Sequence, residues 1–229
     1  MDRSLYANIH TQDHPAGEIR GQMLPLKEMY FVADISGAQT VPHVNTQARG
    51  RLLMEVQNET VVATGSFANL GSDLDVSIAN GVHLHSGVVG ETGSILQGLN
   101  ARTAISLEQG IFLATDNTYN LTATDITAMR DREVYVNVHT LDHASGAARG
   151  QVAAEAEAYY YAPLSASAQT PAINSMASGA LFAESNNGEL TVYGSFDNLS
   201  SAMDTSIAGG AHLHTGLAGE SGPVTFVLD

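Results

Sequence analysis

The sequence predicts an all-β protein made of antiparallel β-sandwiches in tandem. Short segments alternate apolar and polar residues, as Val134, Val136 and Val138 do with the residues between them, and a period of two indicates a half-buried strand. Turns rich in glycine and asparagine separate these segments. The pattern also recurs along the chain at a fixed spacing. Many short strands joined by tight turns are typical of an antiparallel sandwich.

Strand signals follow one another along the chain. Besides the strand at 134–138, the sequence predicts strands at 30–36, 48–56, 60–67, 80–85, 104–107, 110–116 and 147–154. A hairpin is predicted where 180–185 and 189–196 flank Asn187-Gly188, because Asn-Gly favours tight hairpin turns. Only residues 121–131 indicate a short helix, with a Thr or Asp available as its cap.

The pattern occurs twice, and one constant offset aligns the two occurrences. Matched pairs include His10 and His139, Arg20 and Arg149, Phe67 and Phe196, Asp75 and Asp204, and His83 and His212. The 229 residues hold less than two periods. We therefore predict closing strands of a preceding copy in residues 1–24, a complete copy in 28–153, and the opening part of a following copy in 157–229. Residues 101–129 have no counterpart in the sequence.

Composition limits the partners and the location of the protein. The formal net charge of −15 repels phosphate backbones and anionic lipid, so nucleic acid and membrane surfaces are poor partners and cations are good ones. No apolar run approaches the roughly 18 residues that span a bilayer, and a signal peptide would lie outside this sequence. An acidic, cysteine-free chain rich in Gly, Ser and Thr is typical of a bacterial surface or extracellular protein.

The histidines suggest a metal site. Alternate side chains of a strand share a face, so His83 and His85 point the same way, and His139 shares a face with Tyr135 and Asn137. If these strands are neighbours, three ring nitrogens converge. Neutral imidazoles suit copper, or alternatively zinc, and no thiolate competes with them. The predicted ligands are His83, His85, His139 and His143 in the complete copy, with His10, His14, His212 and His214 in the partial copies. The alternative is that these rings only pin strand ends to the following turns.

Two motifs resemble the CHRD family, a domain first described in chordin. They are Tyr-x-Asn-x-His-Thr followed by Gly-x-x-x-Arg-Gly-Gln, and His-Leu-His-x-Gly-x-x-Gly-x-x-Gly. The matching residues are Tyr6, Asn8, His10, Thr11, Gly17, Arg20, Gly21 and Gln22, their counterparts Tyr135, Asn137, His139, Thr140, Gly146, Arg149, Gly150 and Gln151, and His83, His85, Gly87, Gly90 and Gly93 with His212, His214, Gly216, Gly219 and Gly222. The resemblance implies an immunoglobulin-like, Greek-key sandwich of extracellular proteins. One departure is Ala147-Ala148, which stands where the first copy has Glu18-Ile19.

The other recurrent polar residues have simpler interpretations. Arg149 is expected to pair with a carboxylate such as Asp142 or Asp75. The glycines after His85 are expected to be turn residues, because no basic helix follows them as in a phosphate loop. Asp73 and Asp75 could hold calcium, although no twelve-residue calcium loop is present.

We expect a structural or interaction protein of an extracellular bacterial fibre or surface array, not an enzyme. Its expected partners are copies of itself, with residues 1–24 adding strands to the incomplete copy of a neighbour. One alternative is a copper-dependent redox enzyme, since a His-x-His strand on a sandwich resembles the copper site of copper-zinc superoxide dismutases. Another is a module that binds a partner protein or glycan through tyrosines at 159–161.

Overall fold

Antiparallel strands make up most of the protein, and the all-β prediction is confirmed. The computed structural model describes residues 6–9, 19–22, 27, 29–103, 106–154, 158–169, 171–186, 188–215, 217, 220 and 222–228. The strands are β1 (Tyr6–Ile9), β2 (Ile19–Gln22), β3 (Met29–Ser36), β4 (Arg49–Gln57), β5 (Thr60–Ala68), β6 (Val82–Ser86), β7 (Ile95–Gly98), β8 (Ala101–Arg102), β9 (Gly110–Phe112), β10 (Thr118–Asn120), β11 (Val134–Val138), β12 (Ala148–Gln151), β13 (Ala153–Ala154), β14 (Ala158–Ser165), β15 (Ser178–Asn186), β16 (Glu189–Asp197), β17 (His212–His214) and β18 (Val224–Val227). Helix α1 is Ala123–Arg130, and short 3-10 helices are Gly37–Gln39, Ala79–Gly81 and Ala166–Ala168.

One large sheet contains β3 to β13, the segment predicted to be a complete copy. Its strands are hydrogen-bonded in the order β7-β6-β11-β12-β3-β4-β5-β9-β8, while β10 pairs with β5 and β13 with β3. The sheet curls around a single core, because Leu52 and Met54 of β4 belong to the same buried cluster as Leu84 of β6 and Val136 of β11. Burial of this cluster favours the curled shape of the sheet.

Helix α1 closes one side of this core and lies within the predicted range. Thr122 and Asp125 form a reciprocal capping box: the Thr122 hydroxyl accepts from the Asp125 amide at 3.2 Å, and the Asp125 carboxylate accepts from the Thr122 amide at 2.9 Å. Ile126 and Met129 are buried in the core cluster. Among the described residues, no helix is long and apolar enough to cross a membrane.

Several strand boundaries differ from the sequence prediction. The segment predicted at 110–116 is a strand only to Phe112, because the amide of Asp116 turns back to donate to the Leu113 carbonyl at 3.0 Å. At the predicted strand 104–107, residues 104 and 105 lie outside the described residues, and 106–107 are not in a strand. Strands β7 and β10 were not predicted, since neither segment alternates strongly enough to stand out.

Four strands of the C-terminal part have bounds that lie at the constant offset from strands of the segment predicted to be a complete copy. Strands β14, β15 and β16 form a three-stranded sheet, and each begins and ends at the counterparts of the first and last residues of β3, β4 and β5. The same offset relates the bounds of β18 to those of β7. A separate pair, β17 and β18, follows the three-stranded sheet, and β1 and β2 form a pair of their own.

The three-stranded sheet packs against the segment predicted to be a complete copy through an apolar contact and a partly buried ion pair. Val89 and Ala153 pack with Ala180 and Phe182. The Arg132 guanidinium donates to both oxygens of Glu184, at 3.0 and 2.8 Å. The Glu184 carboxylate also accepts from the hydroxyl of Tyr193 at 2.7 Å, and the guanidinium lies 5.0 Å from the centre of that ring. These contacts hold the two parts together.

Replacing Glu184 by glutamine is expected to weaken this junction. The change removes the charge that pairs with Arg132 in a largely buried position, so we expect the free energy of unfolding to fall by roughly 2 kcal/mol. Urea denaturation measures the loss. Glu189→Gln is the matched control, since Glu189 is exposed at the start of β16, and it should change stability by less than about 0.5 kcal/mol. Equal effects of the two substitutions would contradict a coupled junction.

Candidate metal centre

Three histidines meet where β6 lies beside β11. The antiparallel register pairs His85 with Tyr135, Leu84 with Val136 and His83 with Asn137. His83 and His85 share one face of β6, and His139 follows the last residue of β11. The amide of His139 donates to the Gly81 carbonyl at 2.8 Å, which continues the pairing beyond the strand. The structure therefore brings together the imidazoles of His83, His85 and His139.

The spacing of the three rings suits a shared ion. Their ligand atoms lie within 4.8 Å of one another. The ring centroids are 4.6 Å apart for His83 and His85, 4.5 Å for His83 and His139, and 6.2 Å for His85 and His139. Metal–nitrogen bonds of about 2 Å at near-tetrahedral angles place imidazole centroids roughly 5 Å apart. The three observed separations lie on both sides of this value.

Hydrogen bonds fix which nitrogen faces the centre of the cluster. Nδ1 of His85 lies 2.9 Å from the Gly93 carbonyl, and Nδ1 of His139 lies 2.8 Å from the Ala144 carbonyl. A carbonyl only accepts, so in both rings Nδ1 carries the proton and Nε2 keeps its lone pair. Metal-binding histidines commonly donate their other nitrogen to a backbone carbonyl in this way.

The inward-facing nitrogens are buried and have no partner. The exposed fractions of His83, His85 and His139 are 0%, 8% and 5%. Nε2 of all three rings is inaccessible to solvent and makes no hydrogen bond, and the same holds for Nδ1 of His83. A buried polar atom without a partner costs about 1–3 kcal/mol. The cluster therefore has unused coordinating capacity that no described residue satisfies.

Burial keeps the three rings neutral. Desolvation, followed by the neighbouring His139 and His85, lowers the pKa of His83 from 6.5 to about 4, although the nearby Ala79 backbone opposes the shift. Desolvation also lowers the pKa of His85 and of His139. A neutral imidazole is the form that binds a metal, so no proton must be displaced at neutral pH.

An arginine and a tyrosine support the cluster from behind. The ring of Tyr135 stacks on His85 with centroids 4.8 Å apart and an angle of 2° between the planes. The guanidinium carbon of Arg149 lies 3.5 Å from the centre of the Tyr135 ring, a cation–π contact. Desolvation lowers the pKa of Arg149 to about 10, so the side chain remains charged at neutral pH. These two side chains fix the position of the His85 ring.

Arg149 also holds the glycine-rich loop that follows β6. Its guanidinium donates to the carbonyls of Glu91 at 2.5 Å and Val88 at 2.9 Å. Beside it, the Gln151 amide donates to the Gly87 carbonyl at 3.0 Å. Arg149 does not pair with Asp142 or Asp75 as expected. It binds backbone carbonyls instead, because the loop lies directly over its strand. The loop carries Gly93, whose carbonyl accepts from His85.

Asn137 has a structural role that the sequence analysis did not assign. Its side-chain amide donates to the Ser145 carbonyl at 3.1 Å, in the turn that also supplies the Ala144 carbonyl to His139. Gly146 has a φ of +124°, and a Cβ there would collide with the Asn137 side chain. The sequence pattern that could have indicated this role is the alternation Tyr-x-Asn-x-His, which places Tyr135, Asn137 and His139 on one face.

The remaining predicted ligands lie elsewhere. His143 is not part of the three-histidine group and lines a surface cavity with Asn69 and Asp142. His212 and His214 lie together on β17 with ring centroids 4.8 Å apart. Nδ1 of His214 lies 2.7 Å from the Gly222 carbonyl, which is the counterpart of the contact between His85 and Gly93. The other two predicted ligands, His10 and His14, fall outside the described residues.

The weaker calcium hypothesis gains no support from the carboxylates. The Asp75 carboxylate accepts from both the amide and the hydroxyl of Ser77, at 3.1 and 2.5 Å, so it is used in a local turn. Among the described residues, the group of ligand atoms that could hold a metal ion contains only histidines.

The fold and the site define an all-β protein with a buried cluster of three imidazoles that could hold a metal ion. The family model for the CHRD domain matches residues 1–23, 31–152 and 160–229. These residues make up most of the sequence, so the chain belongs to the CHRD domain family, as its motifs indicated. No curated protein and no solved structure matches it.

The depressed pKa of His83 predicts a loss of stability in acid. The unfolded chain takes up this proton near pH 6.5, whereas the folded ring does so only near pH 4. The contribution of this ring to the free energy of unfolding is therefore fully present above pH 6.5. It is lost as the pH drops toward 4, a change of roughly 2–3 kcal/mol. Urea unfolding of EDTA-treated protein at about pH 7.5 and about pH 4.5 measures the change. In His83→Asn protein the free energy of unfolding should differ less between the two pH values than in the wild-type protein. An unchanged difference would contradict the assignment of this acid sensitivity to His83.

Proposed function

We propose that this protein is a structural, self-associating protein of tandem CHRD domains, in which each complete three-histidine cluster holds one copper or zinc ion. The observation that carries the proposal is the set of three buried imidazoles whose Nε2 atoms have no partner. Burying such atoms is costly, and one ion would satisfy all three at once.

The residues that would hold the ion are His83, His85 and His139, each through Nε2. Their neutral form and the carbonyl partners of His85 and His139 match the requirements of a transition-metal site. A bound ion would stabilise the protein, because it binds the folded cluster and not the dispersed imidazoles of the unfolded chain. Copper is favoured over zinc, since nitrogen ligands bind Cu²⁺ more tightly than Zn²⁺.

The tandem arrangement is supported by repeated element bounds and repeated registers. Strands β1 and β2 pair Tyr6 with Gln22, and β11 and β12 pair Tyr135 with Gln151. The β17–β18 pair has its register shift after Leu213, the counterpart of Leu84, after which the β6–β7 pair shifts. Buried residues of β4 and β5 share one core cluster with those of β6 and β11, and this supports an immunoglobulin-like sandwich in this segment.

An extracellular fibre or surface array suits the composition. The chain has no cysteine and a formal net charge of −15, so it depends on neither thiols nor a reducing compartment. Repeated domains that contact their neighbours build extended structures. The apolar and ionic contacts between the complete copy and the three-stranded sheet would limit bending between copies.

A redox enzyme is the second candidate, because three protein nitrogens leave one coordination position for another ligand. The burial of the rings favours the structural role, since a substrate must reach the ion. Copper-loaded protein is expected to show no superoxide dismutation above that of its His83→Ala variant. A rate that rises in proportion to bound copper would favour the enzyme.

Metal analysis tests the site. Protein purified without a histidine tag, loaded with Cu²⁺ or Zn²⁺ and desalted, is expected to retain about one ion at the three-histidine cluster. His83→Ala and His139→Ala each should lose this ion. His43→Ala and His143→Ala should keep it, because the first ring is exposed and the second is outside the cluster. Circular dichroism confirms that each variant is folded.

Thermal unfolding provides the second readout. An ion present at a hundred times its dissociation constant adds about 2.7 kcal/mol, which for a chain of this size raises the melting temperature by roughly 5–10 °C. The rise should be absent in the two cluster variants. A folded wild-type protein that retains no ion and melts at the same temperature with and without metal would defeat the proposal.

A further inference from the structure

Two edge strands of the protein have unused pairing capacity. In the complete copy, β6 lies between β7 and β11, and β11 lies between β6 and β12. Within the described residues, β17 pairs only with β18, and β1 pairs only with β2. Unpaired backbone groups on an edge strand are a template for another strand. The side of β17 away from β18 corresponds to the side of β6 that holds β11.

The three-stranded sheet has a third unused edge. In the complete copy, β12 pairs with β3 at Arg149 and Ser36. The counterparts of these residues are Arg20 on β2 and Ser165 on β14, and within the described residues β14 pairs only with β15. The β1–β2 hairpin therefore has the pairing pattern that would bridge β17 and β14.

Inserting this hairpin would reproduce the strand order of the complete copy. The order β18-β17-β1-β2-β14-β15-β16 corresponds, strand for strand, to β7-β6-β11-β12-β3-β4-β5. The three separate sheets β1–β2, β14–β15–β16 and β17–β18 would become one. Every pairing within this order is either present in the structure or has its counterpart in the complete copy.

The apolar side of the C-terminal part is open where the complete copy is closed. A cavity of about 360 Å³ lies between the two C-terminal sheets, lined by residues that include Leu190 and Leu213. The counterpart of Leu213 is Leu84, which pairs with Val136 of β11 and is buried. Leu213 itself is only partly buried, and a strand beside β17 would cover it.

We propose that β17 and β14 form a docking site for the β1–β2 hairpin of a second copy of this chain, in the register that pairs Tyr6 with His214, Ala7 with Leu213 and Asn8 with His212. We choose the β1–β2 hairpin as the bound segment because β1 and β2 pair in the same register as β11 and β12. This inference rests on the proposed self-association and specifies its interface. The contact is head-to-tail, since different surfaces of the two copies meet, so it generates an open fibre or a ring.

Cysteine cross-linking tests the register directly, because the native chain has no cysteine. Antiparallel partners have Cα atoms about 4.5–5.5 Å apart, within the range of a disulfide. Chains carrying Ala7→Cys are mixed with chains carrying Leu213→Cys and oxidised in EDTA. We expect a cross-linked dimer whose linked peptides contain positions 7 and 213. Its yield should be at least about tenfold higher than the yield with Val227→Cys, a position on the far strand β18.

The controls separate this inference from the metal proposal. EDTA removes any metal, so failure of the three-histidine site leaves the cross-link unchanged. A yield no higher than that of the Val227→Cys mixture, with both chains folded, would overturn the docking site. A chain carrying both Ala7→Cys and Leu213→Cys should cross-link mainly between chains. A link formed mainly within one chain would show that the hairpin folds back on its own β17, and would also overturn the proposal.

A proline substitution gives an independent measurement. Ala7→Pro removes a backbone donor from β1 and is incompatible with a strand between two neighbours. Sedimentation velocity in EDTA should show concentration-dependent association of the wild-type chain, reduced at least about tenfold in apparent affinity by the substitution. The unfolding of the complete copy should be unchanged. Association of the Ala7→Pro chain at the wild-type level would contradict docking through β1.

Discussion

The register of β6 against β11 is the constraint on which the rest of the structure depends. It places His83 and His85 beside His139, the residue that follows the end of β11. A slip by one residue would turn His83 and His85 to the other face and replace them by Leu84, because side chains alternate along a strand. The apolar core opposes such a slip, since Leu84 and Val136 are buried together on the opposite side. The core and the histidine cluster therefore specify the same register.

The cost of burying three imidazoles is offset by the residues around them. Tyr135 and Arg149 form a stack behind His85, and Arg149 with Gln151 holds the loop that supplies the Gly93 carbonyl. Asn137 holds the turn that supplies the Ala144 carbonyl. The CHRD motifs thus describe one unit: the histidines face the centre, and the other motif residues position their backbone partners. Among these imidazoles, the inward Nε2 atoms remain unsatisfied, and this is the observation behind the proposed metal ion.

The sequence predicted the parts of the structure that depend on local periodicity. Alternation identified β11 and placed His83 beside His85, and the glycine and asparagine turns marked the hairpins. The convergence of His139 with them needed only the two strands to be neighbours. Periodicity carries no information on which strands pair at a distance, so the continuous curled sheet through β12 and β3 was not predicted. For the same reason, the loop carbonyls that bind Arg149 were missed.

Spectroscopy of the copper-loaded protein tests the central claim most directly. One equivalent of Cu²⁺ added to metal-free protein should give an electron paramagnetic resonance spectrum with nitrogen coupling from three imidazoles, and His139→Ala should lose this three-imidazole signal. A spectrum with the same nitrogen coupling in the wild-type and His139→Ala proteins would contradict a shared site, because the three buried Nε2 atoms would then not bind one ion together.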